Sequence, residues 1–215
     1  MDAHARDGFD RLTAIVPLAS RQAALPTAWR TAHRAILGGY ASAGRPPSRL
    51  DLEHLPGIDD AHALLTRLAD DDLVVLDGAG EIVGAYPFTS EPTPHRVHVA
   101  GVAIHAMCAV DALAVAPMFD CATHIDSSCA LSGQPVRVAM EGRVIAAPRP
   151  IAPRIGIHWA TVSGHTAHSL CRQMLFLADN DRAAIWQAEA PEARRIYTLE
   201  QAVDLGAAFF MPLLT

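Results

Sequence analysis

Cys108 and Asp111 stand three residues apart in the stretch AIHAMCAVDALAV, Ala103 to Val115, which is otherwise mostly apolar. On a helix, residues at i and i+3 share one face, so a thiol and a carboxylate would point into one pocket. An aspartate in such surroundings is costly unless it has a partner or a chemical role. A carboxylate of raised pKa beside a thiol has such a role, since it takes the thiol's proton and later donates that proton to a leaving group. The same spacing also suits a quieter arrangement, in which Asp111 accepts hydrogen bonds from nearby backbone amides. Pattern alone leaves the two readings level.

Three further cysteines, Cys121, Cys129 and Cys171, lie in the same half of the chain. None forms a C-x-x-C pair, so a structural zinc site of ordinary spacing is not supported. Cys121 and Cys129 read as small buried hydrophobes. His158, His165 and His168 precede Cys171, but their spacing matches no strong metal motif, and they read as surface-loop residues. The tripeptide Ser163 to His165 is no nucleophile elbow, because G-x-S-x-G is absent.

The elements that must position these groups form an α+β chain. Before a break at FTSEPTPHR, Phe88 to Arg96, the pattern is three helices and a hairpin. One helix is capped by Thr27 and stops at Gly38-Gly39, and a short one is capped by Ser48. A third is capped by Asp59, with Ala61, Leu64, Leu65 and Leu68 on one face. LVVL and EIVGAYPF read as strands joined at Asp77 to Gly80. Three helices and a two-stranded wing make a winged-helix-like module over residues 1–90. Residues 91–215 read as a small, mostly antiparallel sheet with flanking helices. There, RVHVAGV, THIDSSCA, PVRVAM, RIGIHWATV and SLCRQMLFLA are strand candidates. HAMCAVDALAV is helical and ends before Pro117. Asn180 and Thr198 cap the last two helices.

Composition narrows the partners. The chain has 215 residues, 51% hydrophobic and 19% charged, with a formal net charge of -6, so it is globular and has no electrostatic pull toward nucleic acid or an anionic membrane surface. The third helix carries Asp59, Asp60, Asp70, Asp71 and Asp72 against a single Arg67, which argues against a phosphate-reading role. The run Val99 to Phe119 has the length of a membrane span, but His105 and Asp111 near its middle argue for a buried helix instead. The start MDAHARDGFDRL has no apolar core of a secretory signal, so a reducing cytoplasm with free thiols is expected.

The segment HAMCAVDALAVAPMF, followed by ATHIDSSCALSGQPVRV, resembles the organomercurial (alkylmercury) lyases. The resemblance rests on Cys108, Asp111, Pro117, Cys129 and the turn Ser132-Gly133-Gln134-Pro135. It continues in HSLCRQMLFLADNDRAAIW with Cys171, Phe176 and Trp186, and extends from roughly Pro46 to Phe210. It implies a winged-helix module, catalytic roles for Cys108, Asp111 and Cys171, and a second cysteine placed in a strand. It also implies cleavage of a small organomercury substrate to a hydrocarbon and Hg(II). Cys108 and Cys171 would hold the Hg(II), with Asp111 beside it. No organic cofactor is implied, and cellular thiols or a mercuric reductase would take the ion away. Soft mercury prefers thiolate ligands, which suits that residue set. The chain departs from the family pattern at Met107, where an aromatic is common, at Ala112 for Thr, at Arg172 for a second cysteine, and at His105 for Tyr. A competing reading is a soft-metal carrier or sensor, for copper or mercury, which would need the two thiols and not Asp111.

Overall fold

The computed structural model describes residues 1–150, 152–159 and 164–215. Five helices come first: α1 (Ala3–Ile15), α2 (Leu18–Ala23), α3 (Thr27–Ala43), α4 (Arg49–Glu53) and α5 (Ala61–Asp70). Short strands β1 (Val75–Leu76), β2 (Ile82–Ala85) and β3 (Phe88–Thr89) follow, then β4 (Arg96–Val99) and β5 (Val102–Ala106). Helix α6 (Ala109–Phe119) precedes β6 (Ala122–Ser128), β7 (Pro135–Glu141), β8 (Val144–Arg149) and β9 (Arg154–His158). After two 3-10 turns, at Thr166–His168 and Cys171–Gln173, come β10 (Met174–Leu177), α7 (Asn180–Ala188), β11 (Arg194–Tyr197) and α8 (Leu199–Phe210).

Two antiparallel sheets result. The larger has eight strands in the order β1-β2-β3-β5-β4-β6-β7-β8, and the smaller has the order β10-β9-β11. The larger sheet runs through the proline-rich break, because β3 pairs with both β2 and β5. In β6 and β7, Thr123, Ile125, Val136, Val138 and Met140 alternate inward while their neighbours face out. Helix α6 covers that inner face. It is buried all round from Ala109 to Met118, which is the signature of a central helix rather than an amphipathic one. It packs against β4 to β7, against β10 of the smaller sheet, and against α8. Gly206 permits the α8 contact, since a Cβ there would stand 3.1 Å from the Ala114 Cβ and 3.2 Å from the Val110 carbonyl oxygen. The N-terminus of α6 therefore sits where the two sheets meet. Among the described residues, no helix is long and apolar enough to cross a membrane.

Local chemistry sets the helix ends. Ser48 and Asp51 form a reciprocal capping box, as do Thr198 and Gln201. The caps of α3, α5 and α7 are Pro26, Asp60 and Asp179, each one residue from the expected Thr27, Asp59 and Asn180. Helix α3 does not stop at Gly38-Gly39 but runs on to Gly44, whose φ of 71° ends it. Gly39 is in the helix for space: a Cβ would meet Pro47 Cδ at 2.9 Å. Helix α6 likewise continues through Pro117, which forgoes only the bond to the Leu113 carbonyl. RVHVAGV is not one strand, because Ala100 (φ 49°) and Gly101 (φ 82°) turn β4 back into β5. EIVGAYPF likewise breaks at Tyr86-Pro87 into β2 and β3. Helices α1 and α2 and strands β8 and β11 complete the fold beyond the expected elements. The end of RIGIHWATV and Ser163 lie outside the described residues.

Candidate active site

Cys108 is the N-cap of α6 rather than a residue within it. Its backbone is extended (φ -151°), and its sulfur accepts the Asp111 backbone N–H at 3.3 Å. The spacing C-x-x-D here repeats the first half of the S-x-x-E capping pattern, with sulfur in place of the hydroxyl. That local rule puts Asp111 in the first helical turn, close to the thiol. Cys171 arrives from the other side, in the 3-10 turn before β10 and not in a strand. The turn closes when the Gln173 N–H donates to the Leu170 carbonyl, so strand pairing begins only at Met174.

The structure brings the three groups together. One sulfur of Cys108, one of Cys171 and one carboxylate oxygen of Asp111 lie within 4.8 Å of one another, all buried. Two soft sulfurs and one proton-carrying oxygen at that separation can surround a single soft metal atom. Burial pushes Asp111 up to about 7, against the opposing pull of the Cys108 and Cys171 thiols and the Cys108 backbone. Its Oδ2 has no hydrogen-bond partner among the described residues. A buried carboxyl of this kind both accepts and gives a proton near neutral pH. Burial also pushes the Cys108 thiol well above its ordinary value, helped by the neighbouring Cys171 and Asp111. For Cys171, the hydrogen bond with Cys108 pulls down, while burial and the charges of Asp111 and Asp72 push up and prevail. Both thiols therefore rest protonated, and a metal must displace a proton to bind.

Access to the three groups is uneven. A cavity of about 330 Å³ is lined by Cys171, Met107, Met174, His95, Glu91 and Arg172 among others. Neither Cys108 nor Asp111 is in its wall. Asp111 and Cys171 instead border a crevice of about 10 Å³, lined also by Leu12, Val110, Met174 and Phe210. That crevice has room for about one water at most. His95 faces the cavity neutral: burial lowers it to about 4, and Ser127 Oγ lies 2.8 Å from its Nδ1.

Sequence reasoning missed Asp72. In the sequence it counts only among the acidic residues of the third helix, yet it is nearly buried in the left-handed conformation (φ 55°). Its Oδ1 meets the Tyr86 hydroxyl (3.0 Å) and His165 Nδ1 (2.9 Å), and its Oδ2 accepts from the Thr166 N–H (3.2 Å) and Oγ1 (2.6 Å). The Tyr86 oxygen in turn accepts the Ala167 N–H at 2.8 Å. This cluster fastens the segment that leads into Cys171. Its only sequence signal is an aspartate directly before LVVL. Of the three histidines, His165 joins this network, His158 ends β9 beside Gln173, and His168 lines the cavity. Cys129 is buried one residue past β6, and its N–H donates to the Gln134 carbonyl. Cys121 is half-buried, and both cysteines lie outside the triad.

Comparisons with known proteins bear on the family and the fold. The alkylmercury lyase family model matches residues 88–211, more than half of the chain. The alkylmercury lyase of Streptomyces lividans is 26% identical over 100% of this chain and 96% of its own length. That of Staphylococcus epidermidis is 30% identical over 62% of this chain. The match spans only 61% of that relative, and 60% of the Bacillus cereus enzyme. A solved structure described as the mercury-bound form of MerB2 superposes over the full length of both chains with a TM-score of 0.78 at 22% identity, so the mixed helical and antiparallel fold is shared. The chain belongs to the alkylmercury lyase family.

Proposed function

We propose that the chain cleaves carbon–mercury bonds, with Cys108, Cys171 and Asp111 as the reacting groups. The observation that carries this reading is the convergence, within 4.8 Å, of two sulfurs and a buried carboxyl whose Oδ2 has no partner among the described residues, at the N-terminus of a buried helix. An organomercury thiolate, R–Hg–SR′, enters by the cavity that Cys171 lines. One cysteine thiol exchanges with the outgoing thiolate, and its proton leaves with R′SH. The second thiol loses its proton to Asp111 as its sulfur binds the metal. Two thiolates raise electron density on mercury and labilise the carbon bond. Asp111 then delivers its proton to carbon, the carbon–mercury bond breaks, and R–H departs. Hg(II) remains on Cys108 and Cys171. The balance is complete with two thiols and one proton carrier, so the reaction draws on no organic cofactor.

Residues 1–90 serve in this reading as a winged-helix-like module covering the catalytic portion, 91–215. Arg67, the single cation of α5, is paired with Asp71 at 2.6 Å, which leaves that helix without a free positive charge for phosphate. Cellular thiols or a mercuric reductase collect the ion, as suits a cytoplasmic setting. The test is incubation of purified protein with phenylmercury or methylmercury and excess thiol. Benzene or methane should appear. Tight mercury binding with no hydrocarbon would replace the lyase with a soft-metal carrier.

A further inference from the structure

Between the cavity and Cys108 stands a third kind of sulfur. The Cys108 thiol donates to Met174 Sδ at 3.6 Å, and Met174 is itself almost wholly buried. Met174 borders both spaces of the site: the larger cavity and the small crevice that Asp111 lines. Met107, next to Cys108 in the chain, lines the same cavity, with its methyl group lying over Gly84. A metal atom leaving the cavity for Cys108 thus passes the wall formed by Cys171 and the two thioethers. Met174 belongs to the buried core, yet its sulfur contacts a thiol and the residue borders the cavity. Thioethers are soft, uncharged donors that bind soft metals without losing a proton.

We propose that Met174 is a substrate-binding residue for the organic mercury cation, making a dative sulfur contact that holds the metal beside Cys108 until the second thiolate bond forms. The thioether lends a lone pair to mercury and takes it back. No bond of the methionine breaks, and no proton or electron leaves it. The contact ends when the Cys108 thiol passes its proton to Asp111 and its sulfur takes the metal. Capture and hand-over depend on Met174 in this scheme, while proton delivery to carbon does not.

The inference rests on the lyase reading only for its kinetic half. Met174→Leu keeps the volume and removes the donor. It should lower kcat/KM for methylmercury about tenfold with kcat and Tm nearly unchanged, because a lost binding contact shows in KM. The direct readout is X-ray absorption at the mercury edge of Asp111→Asn protein produced with selenomethionine and loaded with methylmercury. A mercury–selenium contact should be present, and Met174→Leu in the same background should abolish it. Absence of that contact overturns the proposal whatever the kinetics. Parent protein that shows the contact yet releases no methane would overturn the lyase reading and leave Met174 as a ligand.

Discussion

Two buried aspartates, Asp72 and Asp111, carry the same carboxyl group in opposite circumstances. Asp72 has four partners on its two oxygens, drawn from Tyr86, His165 and Thr166. Asp111 has an Oδ2 with no partner among the described residues, and burial lifts it to about 7. A fully satisfied carboxylate commits its hydrogen-bonding capacity to rigidity, whereas an unsatisfied one stays ready to take up or give a proton. The two are linked through one segment. Asp72 fastens residues 165–167, and Cys171 follows just beyond to complete the triad with Asp111. The contrast teaches that the site is built from a rigid anchor and a poised acid, and the chain divides those roles between two residues of one type.

The contrast can be broken at either end. The largest effect belongs to the thiols: Cys108→Ser and Cys171→Ser should each reduce hydrocarbon release to background and abolish tight Hg(II) binding, because one thiolate cannot chelate the ion. A mercury titration beside the activity assay checks both. Next comes the anchor. Asp72→Ala strands the Tyr86 hydroxyl and the Thr166 donors, and should destabilise the fold by about 3 kcal/mol in denaturant melts, with Asp72→Asn milder. A variant as stable as the parent would show that the cluster holds nothing.

The poised acid should behave in the opposite sense. Folded Asp111 keeps its proton up to about pH 7, while the unfolded chain releases it near 3.8. The folded state therefore holds the extra proton between those values, and its stability falls as pH rises through that window. Asp111→Asn escapes that loss and should be more stable than the parent by up to roughly 4 kcal/mol at pH 8, with little difference near pH 4. His33 and His95, both buried and lowered to about 4, act in the other direction below pH 6.5, so parent and variant must be compared at equal pH. The smallest effect is expected at Cys129, which is buried but outside the triad. Cys129→Ser should cost about 1 kcal/mol and leave the activity of the folded fraction intact.

The sequence disclosed the poised end of this contrast and hid the anchored end. Cys108 and Asp111 were legible as a pair because three-residue spacing on a helix is a local rule, although Cys108 proves to be the cap and not a residue of that helix, and the elements from Ser48 to Leu76 followed from caps and apolar faces. Cys171 stands out only through the family resemblance and not in its true setting, since β propensity around SLCRQMLFLA does not reveal where a turn yields to a strand. The role of Asp72 is hidden because its partners His165 and Thr166 lie more than ninety residues away. Helix α1 was missed for a similar reason. Its buried face, Ala5, Gly8 and Leu12, is too small to stand out, and much of its packing comes from α8 at the far end of the chain. Local spacing is visible in one sequence, and long-range satisfaction of a polar group is not.

Asp111→Asn, assayed twice on the same sample, tests the central claim most directly. The amide keeps the side chain's shape but cannot carry the proton from thiol to carbon. Hg(II) affinity should stay near that of the parent, since both thiols remain. Hydrocarbon release from phenylmercury or methylmercury with excess thiol should fall on the order of 100- to 10,000-fold, the usual contribution of a positioned acid–base group. Cleavage at the parent rate would contradict the account, because the proton would then be reaching carbon without Asp111.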